Sequence, residues 1–108
     1  MTIMQGDSYP IYIELTQDGD VLVPEMIDEL EVCVGEHLRK LYSNGEVKFD
    51  KEKNQWYIHP TQEETLGLNP DSYPVYVRVR YKNTAMEEVV GLRVGRITVT
   101  DSISEAVI

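Results

Sequence analysis

The chain has 108 residues, of which 42% are hydrophobic and 27% charged, with a formal net charge of −9 and a single cysteine. That length suits one domain with one core, the apolar fraction is too high for a disordered chain, and no apolar run approaches the ~20 residues of a membrane helix. Cys33, being alone, excludes an internal disulfide framework and cannot build a structural zinc site.

The charge is unevenly placed. Residues 1–36 contain no Lys or Arg and carry nine acids: Asp7, Glu14, Asp18, Asp20, Glu25, Asp28, Glu29, Glu31 and Glu36. The rest of the chain holds all ten bases against ten acids. An acidic chain repels phosphate, so neither nucleic acid nor an anionic membrane surface is expected as a partner. The excess serves solubility, or it builds an acidic, partner-facing surface from the first strands.

The periodicity is mostly two. Tyr9, Ile11, Ile13 and Leu15 alternate with Pro10, Tyr12 and Glu14, which predicts a half-buried strand. Gln17-Asp18-Gly19-Asp20 is a turn, with Asp-Gly supplying the positive φ of a tight hairpin, and Val21-Leu22-Val23 is a short return strand stopped by Pro24. Leu30, Val32 and Val34 mark the next strand, and His37 to Tyr42 another, ended by Ser43-Asn44-Gly45. Val47 and Phe49 lie on a further strand, and Gln55 to His59 on one centred on Trp56 and Ile58.

Between Pro60 and Pro70 the period changes. Thr61-Gln62-Glu63-Glu64 fits a capping box and predicts one short helical turn near residues 61–66, with Leu66 and Leu68 packed beneath it. Tyr73, Val75, Val77, Val79 and Tyr81 then form the longest strict alternation, with Pro74, Tyr76, Arg78, Arg80 and Lys82 on the opposite face. After the polar break Lys82-Asn83-Thr84, a last strand runs from about Glu88 to Thr100, and its phase slips. Leu92 and Val94 share one parity, Ile97 and Val99 the other, so a bulge at Gly95-Arg96 is expected to restore a common inward face. About seven short strands at this length predict a single all-β domain over residues 1–108, a sandwich or a barrel, and of the two an antiparallel β-sandwich is the expectation taken forward.

Catalytic chemistry is sparse. His37 and His59 sit at strand ends and Cys33 within a strand, and no Gly-rich phosphate loop, Gly-x-Ser-x-Gly elbow or His-Glu-x-x-His appears. Asp18-Gly19-Asp20 lacks the spacing of a calcium loop, and the adjacent pairs Glu63-Glu64 and Glu87-Glu88 cannot converge on one substrate unaided. No catalytic residue, metal site or cofactor is expected. Tyr76, Arg78, Arg80 and Lys82 are the candidate interaction residues. Their alternative role is a solvated outer face whose cations pair with acids on a neighbouring strand.

The segment Leu68-Asn69-Pro70-Asp71-Ser72-Tyr73-Pro74-Val75-Tyr76-Val77 has the form by which immunoglobulin-like sandwiches enter their penultimate strand, the tyrosine hydroxyl bonding back to the corner before it. Together with Gln5-Gly6-Asp7-Ser8-Tyr9-Pro10-Ile11, Trp56-Tyr57-Ile58, Thr61-Gln62-Glu63-Glu64-Thr65 and Gly95-Arg96-Ile97-Thr98-Val99, it resembles small prophage-encoded proteins. These are similar to the immunoglobulin-like N-terminal module of siphophage upper baseplate and tail-associated proteins. The resemblance implies an immunoglobulin-like fold and a structural or assembly role, with further copies of the chain or other phage structural proteins as partners. It supplies no catalytic residues. With no secretory signal at the start, the expected location is the virion, or the bacterial cytoplasm during assembly. The competing expectation is a carbohydrate- or peptide-binding module that presents Trp56, Tyr57 and Tyr76.

Overall fold

Tyr73, Val75, Val77 and Val79 are buried while Tyr76, Arg78 and Arg80 between them are exposed, so the longest alternation sets one inner and one outer sheet face. The structure, a computed structural model, describes residues 1–82, 89–102, 104 and 106–108. The expected break at Asn83-Thr84, the pair Glu87-Glu88 and the start of the last strand at Glu88 lie outside these residues. In chain order the elements are β1 (Thr2–Met4), β2 (Ile11–Ile13), β3 (Thr16–Gln17), β4 (Asp20–Val21), β5 (Ile27–Val34), β6 (Leu38–Leu41), β7 (Val47–Asp50), β8 (Gln55–Ile58), α1 (Gln62–Leu66), β9 (Asp71–Tyr81) and β10 (Val89–Thr100). Single 3-10 turns occupy Pro24–Met26 and Tyr42–Asn44.

The strands form a five-stranded sheet in the order β1-β10-β9-β5-β6, a three-stranded sheet β2-β8-β7, and the small hairpin β3-β4. This is the immunoglobulin arrangement. β2, β8 and β7 take the places of strands B, E and D, and β5, β9, β10 and β6 those of C, F, G and C′. The tyrosine corner is present: the Tyr73 hydroxyl donates to the Asn69 carbonyl at 2.6 Å. Trp56 is fully buried between the sheets. It lies on β8, the E position, where antibody domains instead place their core tryptophan on strand C. Its indole N–H donates to the Leu22 carbonyl at 2.8 Å, and Tyr42 and Phe49 pack on its ring.

The Asp18-Gly19 turn has φ of 52° and 86°, the doubly positive pair of a tight hairpin. The capping box forms in full: Thr61 accepts from the Glu64 N–H at 3.2 Å, and Glu64 accepts from the Thr61 N–H at 2.9 Å. Beneath α1 the buried residues are Thr65 and Leu68, with Leu66 half-buried. The Thr65 hydroxyl donates to the Asp7 carbonyl and accepts from the Gly6 N–H, which ties the helix to the chain between β1 and β2.

Several expectations are corrected. The sandwich is not wholly antiparallel, because β1 pairs in parallel with β10 through Thr2↔Thr98, Ile3↔Val99 and Met4↔Thr100. The described strands exceed seven: β1 is too short to show a period, and the hairpin pairs Thr16–Gln17 with Asp20–Val21 instead of returning over Val21–Val23. Tyr9 lies outside the strand and is 39% exposed; pairing with β8 begins only at Ile11, after Pro10, which has no N–H to offer. The bulge falls at Val94, one place earlier than expected, between Arg93↔Tyr76 and Gly95↔Val75. It does restore the phase, because Leu92 opposes Val77 and Ile97 opposes Tyr73, both on the inner side. Leu92 is nonetheless 44% exposed. The second sheet does not cover it.

Candidate functional site

The outer face of the large sheet carries the four candidate residues. Register places Glu29 opposite Arg80, Glu31 opposite Arg78 and Cys33 opposite Tyr76, so two acids of the base-free segment lie beside the bases of β9. Glu31 is buried, and its carboxylate receives Arg78 Nε at 2.7 Å on one oxygen and Arg39 Nε from β6 on the other. Chiefly through the Arg78 hydrogen bond, and against the opposing effect of burial, its pKa is lowered to about 2. Burial alone would raise the Glu29 carboxyl. Hydrogen bonds from Ser43 and the Leu30 N–H outweigh it and hold the pKa below its usual value, with the Arg80 charge helping. Arg78 is therefore engaged within its own sheet. Tyr76, Arg80 and Lys82 are exposed, and the Lys82 N–H closes onto the Met26 carbonyl.

The residues with nucleophilic or ligand chemistry are dispersed. Cys33 is half-buried on the outer face of β5, His37 lies in the β5–β6 turn edge-on to Tyr73, and His59 follows β8 in the other sheet. Among the described residues, no three His, Cys, Asp or Glu side chains cluster as a metal site. Burial and then the Glu31 charge push the Cys33 thiol pKa upward. Thiolate is the reactive form, so Cys33 should alkylate with iodoacetamide more slowly at neutral pH than a free model thiol, and approach its rate only in denaturant. Faster labelling in the folded protein would reveal an activated nucleophile. No described helix is long and apolar enough to cross a membrane.

The three aromatic residues of the competing expectation do not share a surface. Trp56 is in the core, Tyr57 stacks against Tyr12 on the outside of the small sheet, and Tyr76 is outside the large one.

A further feature lies on the side of the sandwich between β2 and β10. Only Thr98–Thr100 of β10 pair with β1, so among the described residues the β10 edge from Val89 to Gly95 has no neighbour, and β2 likewise has none on its outer side. Between β2 and β10 runs a groove of about 440 Å³, lined by Ile11, Ile13, Ile58, Val75, Val94 and Ile97 together with Met1, whose N-terminus donates to the Arg96 carbonyl. Farther up β10, Val90 and Leu92 are 40% and 44% exposed. Glu14 and Arg96 also line the groove, the Arg96 guanidinium donating to the Ser72 hydroxyl and carbonyl. The parity of Leu92 is readable from the sequence; its 44% exposure depends on the width of the other sheet, which local period does not encode. In comparisons with known proteins, no family model, no curated protein and no solved structure matches the chain.

Proposed function

We propose that the chain is a non-catalytic structural module of a phage or prophage tail-baseplate-like particle, acting by docking onto protein partners. The resemblance in the sequence suggests the particle. The observation that carries the docking is the open side of the sandwich, where two strand edges and an apolar floor meet solvent. Exposed edges and apolar patches of this kind are what protein contacts use. The outer sheet face is a weaker candidate than it looked, because Glu31 already takes Arg78 and Arg39. On this reading the partners are further copies of the chain or other phage structural proteins, and the chain resides in the particle or in the cytoplasm where the particle forms. The carbohydrate- or peptide-binding alternative loses Trp56 to the core.

Particles purified after prophage induction should contain the chain in a fixed ratio to the tail proteins. If it is absent from the particles and remains in the soluble fraction, the reading fails.

A further inference from the structure

The edges of the two sheets are not equally guarded. β6 carries Arg39 and Lys40, β7 carries Lys48 and Asp50, and β2 is three residues long and follows Pro10. Charge, proline and shortness are the usual means of keeping an edge from pairing. The lower part of β10 is taken: the Met1 N-terminus donates to the Arg96 carbonyl, the Thr98 N–H donates to the Met1 carbonyl, and β1 continues the pairing to Thr100. The upper part, Val89 to Arg93, carries one charge at its end and no proline, and has no neighbour on its open side among the described residues. We propose that this stretch pairs with the same stretch of a second copy, β10 against β10, about a two-fold axis normal to the sheet. The inference rests on the docking reading above, since it names the partner and the surface.

The backbone decides how the two edges meet. Below the bulge the Arg96 carbonyl and the Thr98 N–H face β1, so the even-numbered residues of β10 point away from β9. The extra residue at Val94 reverses this alternation. β9 agrees from its other side: the Pro74 carbonyl accepts from the Gly35 N–H, so the even-numbered residues of β9 face β5 and the odd-numbered ones face β10. Val79 and Val77 therefore bond to Val90 and Leu92, and the N–H and C=O groups of Val89, Gly91 and Arg93 point to the open side. These groups are symmetric about Gly91. Two copies laid antiparallel match Val89 with Arg93, Gly91 with Gly91 and Arg93 with Val89, a ladder of about six hydrogen bonds.

The same register seats the side chains. Val90 and Leu92 lie on the inner parity of β10, opposite Val79 and Val77, yet are 40% and 44% exposed. A two-fold axis normal to the sheet keeps both inner faces on one side, so Val90 of each copy stands across from Leu92 of the other. Each then covers apolar surface that a single copy leaves in water. On the outer face Arg93 stands across from Val89, which puts the two arginines at opposite ends of the ladder. β10 contains no acid, so the ladder brings no acidic pair together despite the net charge of −9 on each copy. A second copy suits this edge better than an unrelated strand, because one isologous contact closes both edges and covers both apolar pairs at once.

Sedimentation equilibrium of the full chain tests this, with residue-resolved amide hydrogen exchange as a second readout. A concentration-dependent dimer is expected, in which the amides of Val89, Gly91 and Arg93 gain protection and those of Val90 and Leu92, already bonded to β9, change least. Gly91→Pro should weaken the dimer at least about tenfold and leave the fold intact, since the Gly91 N–H is spent only between copies and an outward-facing edge position tolerates proline. In a Cys33→Ser background, Val90→Cys copies mixed with Leu92→Cys copies should form a disulfide under mild oxidation far more readily than either variant alone. Residues so paired have Cα atoms about 4.5 Å apart, within disulfide reach. The cysteine pair decides the matter even if Gly91→Pro fails to fold. A monomer at every concentration up to about 1 mM overturns the inference. So does a dimer indifferent to Gly91→Pro, or one in which Val90→Cys links to itself in place of Leu92→Cys. In each case the particle experiment still judges the docking reading separately, by whether the chain is found with the tail proteins.

Discussion

Trp56→Ala should bring the domain close to unfolding. Truncating a buried tryptophan costs about 3–5 kcal/mol, against a total of roughly 5–15 kcal/mol for a domain of this size. Here the indole ties the small sheet to the segments around it: it is fully buried, touches Tyr42 and Phe49, and donates to the Leu22 carbonyl of the segment leaving the β3–β4 hairpin. Trp56→Phe separates the two contributions. It keeps a ring in the core and leaves the Leu22 carbonyl unmet, which should cost about 1–3 kcal/mol. Urea unfolding followed by circular dichroism is the measurement, since Trp56 is the sole tryptophan and its removal abolishes the tryptophan signal. A loss below about 1 kcal/mol for the alanine variant, the level of an ordinary surface change, would mean that the indole does not anchor the core.

The second large effect is on acid stability. Glu31 has its folded-state pKa lowered from 4.5 to about 2, so between those values the folded protein binds fewer protons than the unfolded one. Stability is then present in full above the unfolded value, and is lost as pH falls from about 4.5 towards 2. The shift corresponds to at most about 3 kcal/mol, reduced by solvent around Arg39 and Arg78, whose side chains are 61% and 60% exposed. Glu64 adds to the same limb: burial would raise its pKa, and the hydrogen bond from Lys40 at 2.5 Å together with those at Thr61 lowers it. Glu31→Gln keeps the shape and removes the titration. The variant should be less stable at neutral pH, and its stability should fall less steeply between pH 4.5 and 2. An acid limb identical to that of the parent would show that the two arginines do not hold this carboxylate.

The parts of the fold that were legible in the sequence are those whose signal is local. β9 shows its alternation because an interior strand with one face on the core must repeat it over its whole length, and a slip of one residue would bury Arg78 and Arg80. The capping box of α1 and the Asp18-Gly19 turn are written in adjacent residues. β1 was not legible: three residues with one buried side chain carry no period, and their partner strand lies at the other end of the chain. That the bases of β9 pair with acids on a neighbouring strand is legible in the alternation, but that Arg78 meets Glu31 depends on the register between β5 and β9. The groove is less visible still. It arises from a difference in width between two sheets, and no single segment records that difference.

The parallel pairing of β1 with β10 has a mechanical consequence. The bonds from Thr2↔Thr98 to Met4↔Thr100, with the Gln5 N–H to the Thr100 carbonyl and the Thr98 N–H to the Met1 carbonyl beyond them, lie across strands that run the same way. Tension that draws the beginning of β1 and the end of β10 apart pulls these strands past each other along their length. All the bonds then bear the load together and must give at once, whereas a hairpin pulled from its open end peels one bond at a time. A module strung between two neighbours in a particle under strain would resist extension at this patch first, and the rest of the sandwich would stay folded for as long as the patch held.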